Sequence, residues 1–179
     1  MIELYGFIFI VVLGTLAHFI YDWSNHNKYL ALLVAVNESV WEHMKLIVFP
    51  SLIWLLVEIP FVGSNPNFMM AKLVSLLTML VFIPVVFYIY QAIFKKTSLI
   101  FDIVEFVVAI GLGQYFSYLV LNTYALPKVL SFVLFSKVLI VFITFLGRLS
   151  FLPDTITLIF LSWKNLIELF KPLENKFIK

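Results

Sequence analysis

Residues 68–94 read FMMAKLVSLLTMLVFIPVVFYIYQAIF. A bilayer crossing takes roughly 20 apolar residues, so a run this long and this apolar predicts a membrane-spanning helix and decides the fold. Pro84 lies inside it, which a span tolerates because neighbouring helices re-satisfy the carbonyl that a proline frees. The same pattern recurs on both sides. Leu4 to Tyr21, Met44 to Val62, Leu99 to Leu121 and Val129 to Leu146 read as further spans. Turn-rich stretches such as Asp22-Trp23-Ser24-Asn25-His26-Asn27-Lys28 and Gly63-Ser64-Asn65-Pro66 separate them. The second span is expected to bend or break at Pro50. The chain is thus expected to be all-α, a polytopic membrane helix bundle of about five spans forming one integral membrane domain over 1–179.

Composition excludes the alternatives. Of 179 residues, 63% are hydrophobic and 12% charged, with twenty Phe and a mean hydropathy of +1.08. Soluble domains carry about half apolar and about a quarter charged residues, and no soluble fold of this size hides so much apolar surface. The net charge of +2 is too small and too dispersed for nucleic-acid binding, so the expected surroundings are the lipid bilayer. With no cysteine there is no disulfide, no thiolate nucleophile and no cysteine-ligated metal. The N-terminal run holds Glu3, lacks Lys and Arg ahead of the apolar stretch, and shows no cleavage site, so it reads as a retained span. No internal repeat is evident, which argues against an inverted-repeat transporter.

Two segments do not read as simple spans. Tyr29 to His43 begins apolar and turns polar at Asn37-Glu38-Ser39-Val40-Trp41-Glu42-His43. It reads either as a re-entrant half-helix or as the lower part of one long helix continuing to Val62. Thr155 to Lys171 follows Asp154, a good N-cap, and its polar stripe of Thr157, Lys164, Glu168 and Lys171 suits an interfacial amphipathic helix. Lys28, Lys45, Lys95, Lys96, Arg148 and the C-terminal lysines fall on one side, with only Lys72 and Lys128 on the other. The positive-inside rule then places the N-terminus outside and the C-terminus in the cytoplasm.

That topology gathers the polar residues at one depth. His18, Asp22, Glu38, Glu42, His43, Asp102 and Glu105 converge on the inner leaflet, with Asn37, Trp41, Gln114 and Lys137 as an accompanying polar network; the outer half is expected to hold almost none. His18 and Asp22 are spaced i, i+4, as are Glu38 and Glu42, while Asp102 and Glu105 are i, i+3, so each pair shares a helical face. Ionisable groups inside a membrane are expensive and turn to the bundle interior, paired or lining water. Lys137 is accordingly expected to point toward Glu105. A solely structural polar network is the alternative, with Asp22 and Asp102 solvated at headgroup level.

The run Asn37-Glu38-Ser39-Val40-Trp41-Glu42-His43-Met44-Lys45-Leu46 resembles the DUF6512 family of small bacterial multipass membrane proteins. His18 through Trp23-Ser24, and Phe101-Asp102-Ile103 with Gly113-Gln114 and Ser117, support the likeness, which covers most of the chain up to the fifth span. The resemblance implies a bacterial inner-membrane topology and a motif. It implies no reaction.

Three functions compete on the residues alone. The first is a cation or metal site facing the cytoplasm, with His18, Glu38, Glu42 and His43 as ligands. Carboxylate and imidazole together suit a divalent metal such as zinc, manganese or iron. The second is an embedded enzyme acting on a lipid or isoprenoid headgroup, with Glu38 and Glu42 as candidate catalytic carboxylates. The third is a small proton-coupled or substrate-binding transport subunit, which calls for a homo-oligomer or a membrane partner subunit; Gly111-Leu112-Gly113 permits close helix approach.

Overall fold

Inside hydrocarbon every backbone polar group must bond within the chain, so apolar runs of this length fold as helices. The structure, a computed structural model, describes residues 2–27, 29–36, 39–95, 98–123 and 128–151. Its helices are α1 (Ile2–Trp23), α2 (Val40–His43), α3 (Lys45–Val62), α4 (Phe68–Phe94), α5 (Leu99–Leu121) and α6 (Lys128–Phe151), with a 3-10 turn at Leu30–Leu32. The described residues contain no strand. Four helical stretches are long and apolar enough to cross a bilayer: α1, α2 with α3 as Val40–Val62, α4 and α5. The fifth long helix, α6, has 24 residues. Residues 68–94 and 99–121, expected as spans, are each one helix with those bounds. The helix expected over 155–171 lies outside the described residues.

The long helices pack side by side: α1 lies against α3 and α5, and α4 against α5 and α6. Their shared core is an apolar layer of Ile10, Ile47, Met79, Ile83, Ala109 and Ile110, contributed by α1, α3, α4 and α5. Ile8, Val12, Leu16 and Phe19 form an exposed apolar face along α1. Water would tolerate such a face poorly, and lipid solvates it.

Pro50 offers no N–H to the carbonyl of Leu46, four residues before it. The helix continues through Pro50 without a break. Gly14 of α1 sits directly over that carbonyl, so close that a Cβ there would lie 2.5 Å from Leu46 O and 2.7 Å from the Phe106 ring. Gly14→Ala is therefore expected to cost about 1–3 kcal/mol by overpacking, read as a lower thermal midpoint in detergent. Gly111 is the control, since a Cβ there meets only Phe7, at 3.6 Å. Gly111→Ala should hold or raise the midpoint, because alanine is the better helix former. Equal midpoints for the two variants would contradict the close approach of α1 to α3.

Of the 29–43 segment the structure describes 29–36 and 39–43. After the turn at Leu30–Leu32, residues 33–36 and Ser39 are not helical, and Val34 and Ala35 are buried against Ala17 and Leu46. Ser39 caps α2, its backbone extended and its Oγ accepting from Glu42 N at 3.2 Å. Val40 then starts a helix that passes into α3 through Met44.

Candidate functional site

Half of the buried charges among the described residues, Glu3, Glu58 and Lys72, lie where the sequence reading placed almost none. At the end of the bundle that carries the N-terminus, α1 begins, α3 ends, α4 begins and α5 ends. The turn between α3 and α4 fixes this arrangement. Asn65 Nδ2 donates to Leu121 O at 3.1 Å, and Asn67 Nδ2 donates to Val120 O at 3.1 Å and Thr123 O at 3.0 Å. Val120 and Leu121 end α5, where carbonyls lack partners along the helix, and Thr123 lies just beyond that end. Asn65 of the expected turn and Asn67 just after it thus bind the end of α5 to the start of α4.

One turn inward, three helices bring charges together. Lys72 Nζ lies 2.9 Å from Glu3 Oε1 and 3.1 Å from Glu3 Oε2, and 2.6 Å from Glu58 Oε2. Ser117 Oγ donates to Glu3 Oε1 at 3.1 Å. All four side chains are buried, Glu58 and Ser117 completely. Glu58 Oε1 has no hydrogen-bond partner. Trp54, one turn before Glu58, keeps its indole near that carboxylate without closing a hydrogen bond. Gly6 of α1 leaves the space that the indole fills.

Inward from Lys72 lies a cavity of about 20 Å³, lined by Lys72 with Ser51, Trp54, Ser75, Gln114 and Phe135 among others. Gln114 is buried, and its Oε1 has no hydrogen-bond partner; neither has Ser51 Oγ. This corrects the placement of Gln114. The sequence reading assigned it to the inner-leaflet network, whereas the structure sets it beside Lys72 at the other end.

The expected site at the opposite end is only partly assembled. His18 and His43 do meet, with ring centroids 5.2 Å apart, and His43 Nδ1 lies 2.8 Å from Ser39 O. Glu42 is buried, but its Oε2 is taken by Lys45 Nζ at 2.6 Å and by Val36 N at 3.1 Å. Lys45, expected among the headgroup cations, is fully buried and also donates to Ala31 O at 2.9 Å. Asn37 and Glu38 lie outside the described residues. Among the described residues no three His, Asp or Glu side chains are grouped to hold a metal ion. A carboxylate committed to a buried ammonium is a poor ligand, so the expected set of His18, Glu38, Glu42 and His43 is not supported as a metal centre.

The remaining expected residues divide. Asp22 is solvated, its side chain 77% exposed beside His26 at 3.6 Å. Trp41 and Asp102 are half-buried on α2 and α5. Glu105 is buried on α5, with Oε1 unpartnered. Lys137 is exposed on α6 instead of turning toward Glu105, because α4 packs between α5 and α6.

A family model described as a family of unknown function, DUF6512, matches residues 2–161, and the chain belongs to that family. The match reaches past the fifth long helix, further than the resemblance read from the sequence. No curated protein and no solved structure matches the chain.

Proposed function

We propose that this member of the DUF6512 family binds and releases a proton at the Glu3–Lys72–Glu58 cluster, as one step of proton-coupled transport across the membrane. The observation that carries the reading is a charge imbalance. Two buried carboxylates share one ammonium, so the fully ionised cluster holds one excess negative charge away from water. An uncompensated charge in such surroundings costs more than taking up a proton. The proton belongs to the coupled pair rather than to either carboxylate.

The scale of the neighbouring space favours a proton over a larger ligand. Small-molecule pockets span about 300–1,000 Å³, whereas the cavity beside Lys72 is about 20 Å³. A lipid-headgroup enzyme would need a cleft here. Toward the other end, the apolar layer of Ile10, Ile47, Met79, Ile83, Ala109 and Ile110 separates this cluster from Glu105. Gln114 and Glu105 are nine positions apart on α5, about 14 Å along the axis. Polar stations on either side of an apolar barrier suit gated passage of a proton.

Infrared titration of the reconstituted protein tests the reading. A protonated-carboxyl C=O band should appear and vanish as pH is scanned, and Glu58→Gln should remove it. In vesicles, Glu58→Gln should also abolish pH-driven proton uptake reported by an internal dye. A titration with no carboxyl band assignable to Glu3 or Glu58 overturns the proposal.

A further inference from the structure

We infer that the cavity between α3, α4, α5 and α6 is a binding site for a single water molecule that joins Lys72 to Gln114. A buried water needs at least about 10–15 Å³ and two to four polar partners. The cavity, at about 20 Å³, has room for one. Its walls supply the partners. Gln114 is buried, lines the cavity and has an Oε1 with no hydrogen bond; Ser51 Oγ, on the α3 wall, is likewise unpartnered. Buried polar atoms left without a partner are rare, and an ordered water is the usual remedy.

The donor count of Lys72 agrees. An ammonium has three N–H groups and no acceptor. Glu3 takes one N–H, shared between its Oε1 at 2.9 Å and its Oε2 at 3.1 Å, and Glu58 takes a second. The water accepts the third N–H and donates to Gln114 Oε1 and Ser51 Oγ. Leu52, Leu55, Leu76, Met79 and Phe135 close the rest of the cavity with apolar surface, so the site selects a small neutral hydrogen-bonding molecule.

The water site rests on the size of the cavity and the unpartnered polar atoms of its walls. Its second role, as the first step by which the cluster exchanges its proton, rests on the proton-binding reading above. Infrared difference spectra recorded in D₂O and in D₂¹⁸O separate the two claims. Wild-type protein should show a narrow water O–D band that shifts with the oxygen isotope. Gln114→Leu should lose that band, and Ser51→Ala should shift it, so either variant serves if the other folds poorly. In Gln114→Leu the cluster should also exchange hydrogen for deuterium more slowly, with the titration midpoint of the carboxyl band unmoved.

A wild-type spectrum without the isotope-sensitive band overturns the water site, as does a band left unchanged in both variants. Should the water band behave as expected while no carboxyl titrates, the site stands and the proton-binding reading falls with the relay. A moved carboxyl midpoint in Gln114→Leu would make the glutamine part of the charge cluster and overturn the relay.

Discussion

Lys72→Met is expected to prevent stable folding, while the triple variant Glu3→Gln, Lys72→Met, Glu58→Gln recovers most of the lost stability. Removing the ammonium leaves two buried carboxylates without a counter-charge at 2.9 and 2.6 Å, where it now sits. Breaking a buried pair from one side costs about 3–5 kcal/mol, a large share of a total stability of about 5–15 kcal/mol. Removing all the charges together avoids that penalty, since neutral replacement of a buried ion group is often level with the original or better. Thermal unfolding in a mild detergent, followed by tryptophan fluorescence, reads both. Glu58→Gln separates a proton-binding cluster from a merely structural one. It leaves Lys72 balanced by Glu3, so it should unfold at or above the wild-type temperature while losing the titrating band. A Lys72→Met protein as stable as wild type would contradict the burial of this ion group.

The helices were legible in the sequence because their ends are marked. Phe68–Phe94 is bounded by Gly63-Ser64-Asn65-Pro66 on one side and Lys95-Lys96 on the other, and a long apolar run between polar turns admits one reading. The Glu3–Lys72–Glu58 cluster was not legible by the same means. Each of its residues lies within a turn or so of a helix end, where a charge reads as a headgroup contact, and Lys72 was counted as one. One signal was available. Glu58 precedes the end of α3 by four residues, and Lys72 follows the start of α4 by four. Residues equidistant from the turn of an antiparallel helical hairpin share a depth, so the two charges had to lie level. Nothing comparable announced Glu3, whose partner depends on the register of α1.

The same distinction holds at the other end. His18 and His43 were expected to approach, and their rings do. Glu42 was expected to serve a metal, yet Lys45, three residues on, offered an i, i+3 counter-ion along the same helical face. Counting every lysine near a span end as a headgroup cation hid that pair. The contact of Gly14 with the carbonyl freed by Pro50 needed the register of two helices, which no single helix specifies.

Lys45→Met should loosen the 29–36 segment while leaving the helices of the core intact, a local counterpart to the global effect at Lys72. The fully buried ammonium holds three parts of the chain: it donates to Ala31 O at 2.9 Å, reaches Val34 O at 3.5 Å, and pairs with Glu42 Oε2 at 2.6 Å. Glu42 Oε2 in turn accepts Val36 N at 3.1 Å, so the segment is tied through both its carbonyls and an amide. Losing Lys45 strands a buried carboxylate at about 3–5 kcal/mol and leaves carbonyls unsatisfied at about 1–3 kcal/mol each. Detaching the segment relieves both costs, because it lets water reach Glu42, Ala31 and Val34 without disturbing the apolar layer of α1, α3, α4 and α5. Hydrogen exchange should therefore accelerate at 29–36 and at the start of α2, with α4 and α5 amides still protected. Adding Glu42→Gln should restore only part of the protection, since it removes the stranded charge but not the need of the carbonyls for a donor. Uniform deprotection across α4 and α5 in Lys45→Met would show that this lysine supports the whole bundle. Unchanged exchange at 29–36 would show that Val34 and Ala35 hold the segment by apolar packing against Ala17 and Leu46 alone.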